Sequence, residues 1–251
     1  MAVQTASFLR RAALGGPGSR AREFRLLLRA LGGFIRGFRS LRGVGPCVTV
    51  FGSARTPESH PHYQIGQEVG RRLAERGFAV LTGGGPGLME AANRGAKEAG
   101  GRSIGCNIRL PVEQQPNPYV DRSITCQHFF VRKVLLFRYS CGFVALPGGV
   151  GTMDEVFEAL VLVQTGKIEP VPIILIGTEY WRPFAVLLEQ MLAHATIDVE
   201  DLQLVTVTDD LDDAMARLGD RAVGHRGPEA GRAVSGTPRL GAPIAPSCPS
   251  R

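Results

Sequence analysis

Apolar residues along this chain fall into two rhythms. Short, nearly continuous apolar runs stand at 47–51, 78–82, 103–108, 124–130, 141–145, 171–177 and 204–207. Between them, apolar residues return every three or four positions, as at Ile65, Val69 and Leu73 within 63–76, and again over 88–99, 131–140, 156–163, 180–193 and 210–218. The unbroken runs predict strands buried on both faces, and the alternation predicts helices covering a parallel sheet. The expected fold is a single-domain α/β structure over 44–223, a Rossmann-like, doubly wound and mostly parallel sheet.

The flanks read differently. Over 22–43, Phe24, Leu27, Leu28, Leu31, Phe34, Ile35 and Phe38 form a helical stripe with arginines on the other face. Such a basic amphipathic helix suits a membrane surface or nucleic acid. Packing on its own core or on a second subunit is the plainer reading. Residues 1–21 lack periodicity, and 224–251 are rich in Gly, Pro, Ser and Arg, so both are expected to be disordered.

Charge changes the picture only once it is located. Of the net +6, residues 1–43 carry +8, with nine arginines against Glu23, and residues 224–251 carry +3. The stretch 44–223 is therefore at −5, which argues against a broad nucleic-acid-binding face. Cys47, Cys106, Cys126, Cys141 and Cys248 show no CxxC spacing, and four lie in strand-like runs, as reduced cysteines do. His60, His62, His128, His194 and His225 offer no HxxxH, and no metal or cofactor is expected. No apolar stretch reaches the roughly 18 residues of a membrane span. The Arg-rich N-terminus also fits a transit peptide, but a bacterial cytoplasm is the expected location.

Candidate chemistry sits in turns at strand ends. Leu146-Pro147-Gly148-Gly149-Val150-Gly151-Thr152-Met153-Asp154-Glu155 follows an apolar run and precedes a helix. Its glycines let backbone N–H groups and a helix N-terminus approach an anion. Gly52-Ser53-Ala54 and Gly83-Gly84-Gly85-Pro86-Gly87 end two other strands, and in a parallel sheet all three turns share one edge. Neither GxGxxG nor GxxxxGK[ST] is present, so a mononucleotide or sugar phosphate is the expected ligand. Thr152 to Glu155 also fits a capping box, and on spacing alone capping is the simpler role for Glu155. A carboxylate beside a bound phosphate is repulsive unless chemistry needs it, and N-glycosidic cleavage, which builds positive charge, does. Arg132 and Lys133 open a helix after a strand, either as a solvated face or as ligands to phosphate or base. Glu90 and Asn93 lie within two turns of the second glycine loop, facing either ligand or solvent.

These residues resemble the LONELY GUY family. Pro147 to Glu155 is similar to its PGGxGTxxE signature, Arg132-Lys133 to its RK pair, Gly83 to Glu90 to its first glycine loop, and Phe51-Gly52-Ser53 to its opening turn. The resemblance spans about 46–220. It implies a cytokinin-activating type of phosphoribohydrolase, converting a nucleoside 5′-monophosphate such as AMP, or an N6-modified relative, and water into free base and ribose 5-phosphate. On that resemblance Arg132 and Glu155 are the catalytic pair. Ser53, Gly83, Gly84, Gly85, Glu90, Lys133, Gly148, Gly149, Gly151 and Thr152 bind substrate, and the protein is a homodimer. Pro86, Glu90 and Phe129-Phe130-Val131 depart from the plant pattern and point to AMP-like substrates. The competing readings are a nucleotide sensor without turnover and, more distantly, a pyridoxal-phosphate decarboxylase, for which no lysine has a Schiff-base context.

Overall fold

The computed structural model describes residues 20–110 and 115–222. The disordered tails expected at 1–21 and 224–251 lie outside them, apart from Arg20 and Ala21. In chain order the elements are α1 (Arg20–Leu41), β1 (Cys47–Phe51), α2 (Pro61–Glu75), β2 (Ala79–Thr82), α3 (Leu88–Glu98), β3 (Ser103–Ile108), β4 (Arg122–Cys126), α4 (Phe129–Arg138), β5 (Ser140–Ala145), α5 (Val150–Gln164), β6 (Ile173–Ile176), α6 (Thr178–Ala193), α7 (Val199–Leu202), β7 (Val205–Thr208) and α8 (Leu211–Ala222).

The seven strands form one sheet in the order β4-β3-β2-β1-β5-β6-β7, and every pairing is parallel. The chain builds outward from β1 to β4, then returns beside β1 with β5 and builds the other way. The order therefore reverses between β1 and β5. Alternate strand residues feed two cores. Phe51, Leu81, Cys106, Phe143 and Leu175 face α1, α4, α5 and α6, with Trp181 fully buried among them. Val48, Val50, Val80, Val144 and Ile174 face α2, α3 and α8. Burial on both faces is why these strands read as unbroken apolar runs.

On the second face, α2 and α3 touch backbone to backbone. A Cβ on Gly70 would lie 2.0 Å from the Ala92 carbonyl oxygen, so this crossing needs glycine. On the first face, α1 meets α4 with Gly33 facing Val131 and Gly37 facing Leu135, while its Ala30 and Leu41 are buried in the same core. Its other apolar stripe, including Phe24, Leu27, Leu31 and Ile35, is exposed.

Two expectations shift here. The strand expected over 124–130 ends at Cys126, and α4 begins at Phe129 rather than 131. His128, expected inside that strand, is the extended N-cap of α4. The short helix α7 has no counterpart in the apolar pattern, since none of its residues is buried; an Asp198–Asp201 capping box holds it instead.

Candidate active site

The carboxyl ends of β1 and β5 meet where the strand order reverses, the place at which open α/β sheets bind ligands. The Ser53 amide donates to the Pro147 carbonyl at 3.0 Å, and the Leu88 amide donates to the Ser53 carbonyl at 2.9 Å. All three small-residue turns thus lie on one sheet edge. Between them opens a cleft of about 560 Å³, lined by Phe51 to Arg55, Met89, Phe129, Arg132, Gly149 to Thr152, Asp154 and Glu155.

One wall is the start of α5. Gly149 is its N-cap, and the Thr152 and Met153 amides both donate to the Gly149 carbonyl, at 2.9 and 3.1 Å. Val150 and Gly151, the first two helical residues, have no carbonyl within the helix to receive their N–H groups. Nothing lies within 4 Å of where a Cβ would stand on Gly149 or Gly151, so the floor of this turn is open. The Tyr180 hydroxyl donates to the Gly148 carbonyl and pins the turn from α6. The result is a turn with free backbone N–H groups at the positive end of a four-turn helix, an arrangement able to receive an anion.

Glu155 was expected in the first turn of this helix, inside a capping box with Thr152. The structure corrects that. The helix begins at Val150, no side chain caps it, and Glu155 lies in its second turn, too far along to reach the N-cap amide. It points into the cleft instead, only 4% exposed. Its Oε1 accepts from Arg132 Nη1 at 3.2 Å, and its Oε2 is buried with no hydrogen-bond partner among the described residues. Burial pushes the Glu155 carboxyl up to about 7, against the pull of Arg132 and Lys133.

Arg132, in the first turn of α4, is held at both ends. Its Nε donates to the Cys106 carbonyl at 2.8 Å, and Nη1 meets Glu155. Its remaining Nη2 lies over Gly83, where a Cβ would stand 2.4 Å away. This changes the part played by the second glycine turn. Gly83, Gly84 and Gly85 were read as ligand contacts, yet none lines the cleft. Gly83 makes room for the guanidinium. The Gly84 amide is already taken by Thr82 Oγ1, and its carbonyl by the Asn117 amide and Asn107 Nδ2. A buried set of Thr82, Asn93, Ser103 and Asn117 braces the turn.

Other expected residues separate in space. Ser53, Gly149, Gly151 and Thr152 line the cleft; Gly148 is buried just behind it. Glu90 does not line the cleft and accepts from the Tyr63 hydroxyl at 3.1 Å. Lys133 is drawn aside by ion pairs to Asp154, at 2.8 Å, and to Glu158. Phe129, read from the sequence as a departure affecting substrate choice, does line the cleft, whereas Phe51, Ala54, Arg55, Met89, Val150 and Asp154 were not singled out as contacts, because only the fold assembles them. None of the three lysines lines the cleft, which leaves no Schiff-base residue for pyridoxal phosphate there. Among the described residues, no group of three or more His, Cys, Asp or Glu is placed to hold a metal ion, and no helix is long and apolar enough to cross a membrane.

A parallel sheet with a glycine turn and a buried Arg–carboxylate pair at its switch point defines a Rossmann-like α/β protein with a candidate active site at the carboxyl edge of the sheet. Comparison with known proteins makes this particular. The family described as "Possible lysine decarboxylase" matches residues 89–218, just over half the chain, and the chain belongs to it; this is the LONELY GUY family. A cytokinin riboside 5′-monophosphate phosphoribohydrolase of Rhodococcoides fascians is 29% identical over 174 residues, 68% of this chain and 88% of that one. A pyrimidine/purine nucleotide 5′-monophosphate nucleosidase of Escherichia coli is 29% identical over 142 residues, 53% of this chain but only 31% of that longer one. Among solved structures, the molybdenum cofactor carrier protein of Chlamydomonas reinhardtii is 30% identical with a TM-score of 0.53, covering 72% of this chain and 99% of that one.

Proposed function

We propose that this protein is an N-glycosyl hydrolase that cleaves a nucleoside 5′-monophosphate, AMP or an N6-modified relative, to free base and ribose 5-phosphate. The observation that carries this reading is the buried Arg132–Glu155 pair lining a cleft beside the α5 N-terminus, with Glu155 Oε2 left without a partner among the described residues. The names of the relatives support it, as they describe nucleotide hydrolases of this kind.

The chemistry follows from charge. The 5′-phosphate rests on the amides of Val150 and Gly151, with Ser53 and Thr152 beside it. That places the sugar towards Glu155. As the C1′–N bond breaks, its electron pair leaves with the base and positive charge grows on the ribose. The Glu155 carboxylate lies where it stabilises that charge, and with a pKa of about 7 it is also suited to take a proton from the attacking water. Arg132 favours the ionised form of Glu155 against the effect of burial and offers a cation towards the departing base. Gly83 and the Cys106 carbonyl hold Arg132 in place for this role.

The catalytic unit is 44–223, working in the cytoplasm as a homodimer. The exposed apolar stripe of α1, continued by Phe34 stacking on Phe38 and packing near Phe130, is the surface for the second subunit. Purified protein given AMP is expected to release adenine and ribose 5-phosphate in equal amounts. Release of adenosine and inorganic phosphate would identify a phosphatase and overturn the reading. The likeness to the Chlamydomonas carrier favours a second reading, in which the same cradle holds a phosphorylated ligand without turnover. There, Glu155 is dispensable and AMP is bound but recovered intact.

A further inference from the structure

We propose that Arg55 determines specificity in this cleft: its guanidinium grips the 5′-phosphate from the β1 side and makes the site prefer nucleoside 5′-monophosphates to nucleosides. The inference rests on the nucleotide reading above and deepens it. A phosphate monoester carries close to two negative charges at neutral pH, whereas a helix N-terminus supplies only about half a positive charge. The cradle of α5 therefore needs a full cation beside it, and the other charges of the cleft are committed. Arg132 is held by the Cys106 carbonyl and Glu155 and is assigned to the departing base, and Asp154 is paired with Lys133.

Arg55 is different. It lines the cleft, is exposed, and its side chain makes no hydrogen bond or ion pair among the described residues. The nearest acid along the chain, Glu58, is already paired with Arg94. Yet the backbone beneath Arg55 is firmly set. Its amide donates to Ser53 Oγ at 3.0 Å, and Ser53 is fastened to Pro147 on one side and Leu88 on the other. That fixes the base of a long, unpaired cation next to the anion turn. Glu155, which lines the same cleft, is 4% exposed and has a buried Oε2 with no partner among the described residues, a second and independent sign that a ligand completes the contacts here.

The test compares Arg55→Ala and Arg55→Lys with the wild-type protein, using AMP and adenosine as substrates and ribose 5-phosphate as a binding probe by calorimetry. Loss of one charge-assisted contact predicts a roughly 10- to 100-fold fall in kcat/KM for AMP, mostly through KM, with adenosine hydrolysis unchanged. Ribose 5-phosphate affinity falls by a similar factor, and the lysine variant recovers part of both. Equal losses on AMP and adenosine, or no loss on AMP, would overturn the role of Arg55 while leaving the hydrolase reading in place. If the wild type turns over neither substrate, the hydrolase reading fails and binding alone decides. Weaker ribose 5-phosphate binding by Arg55→Ala then upholds the phosphate contact, and unchanged binding refutes it.

Discussion

Replacing Glu155 by glutamine is expected to stabilise the fold at alkaline pH while removing activity. The carboxyl is raised from 4.5 to about 7, first of all by burial. For an acid whose folded pKa lies above its unfolded one, the native state holds the extra proton between the two values. Stability then falls as pH rises from about 4.5 to about 7, and the full cost persists above that range. At about 1.4 kcal/mol per pH unit the displacement corresponds to about 3 kcal/mol. Glutamine mimics the protonated side chain at every pH, so the gain from Glu155→Gln is near zero around pH 4 and about 3 kcal/mol around pH 8. For a chain of this size that is roughly 6–12 °C in Tm. Thermal and urea melts of both proteins at the two pH values read it directly, and groups common to both cancel in the difference. A gain independent of pH, or destabilisation at pH 8, would refute the reasoning that Glu155 is held as a strained carboxylate.

Three further outcomes follow from the same geometry. In the proposed mechanism Glu155 works ionised, so kcat/KM should climb with pH and level off above about 7, checked by a pH–rate profile; a flat profile from pH 5 to 9 would contradict it. Arg132→Gln should lower kcat roughly 10²- to 10³-fold and move the profile's midpoint upward, because the Coulombic partner that lowers the Glu155 pKa is lost. Gly70→Ala drives a Cβ into the Ala92 carbonyl and should cost about 1–3 kcal/mol in a denaturant titration, with KM for AMP unchanged because α2 lies away from the cleft.

The fold was legible because burial on both faces leaves a plain mark. Runs such as 47–51 and 141–145 have no polar alternation to confuse them, and turns ending in glycine follow directly. The site was legible only where its residues are consecutive. Gly149 to Glu155 is one piece of chain, and its place at the sheet edge lining the cleft could be read from spacing. The capping box was misread because the pattern from Thr152 to Glu155 is satisfied in sequence, whereas the helix starts at Val150 with a bare glycine cap. The 83–85 turn was assigned to the ligand because glycines usually clear space for one. Here Gly83 clears space for Arg132, a residue far along the chain, and local sequence holds no trace of that contact. Arg55 escaped notice for a similar reason. Its meaning comes from lacking a side-chain partner among the described residues while lining the same cleft as the α5 N-terminus.

The central claim is that Glu155 turns a nucleotide-binding cleft into a hydrolase. It is tested most directly by giving AMP to the wild type and to Glu155→Gln side by side, measuring bound nucleotide and released adenine in each. The account predicts comparable binding by both proteins and adenine from the wild type alone. Adenine released at similar rates by both, or tight binding with no adenine from the wild type, would contradict it.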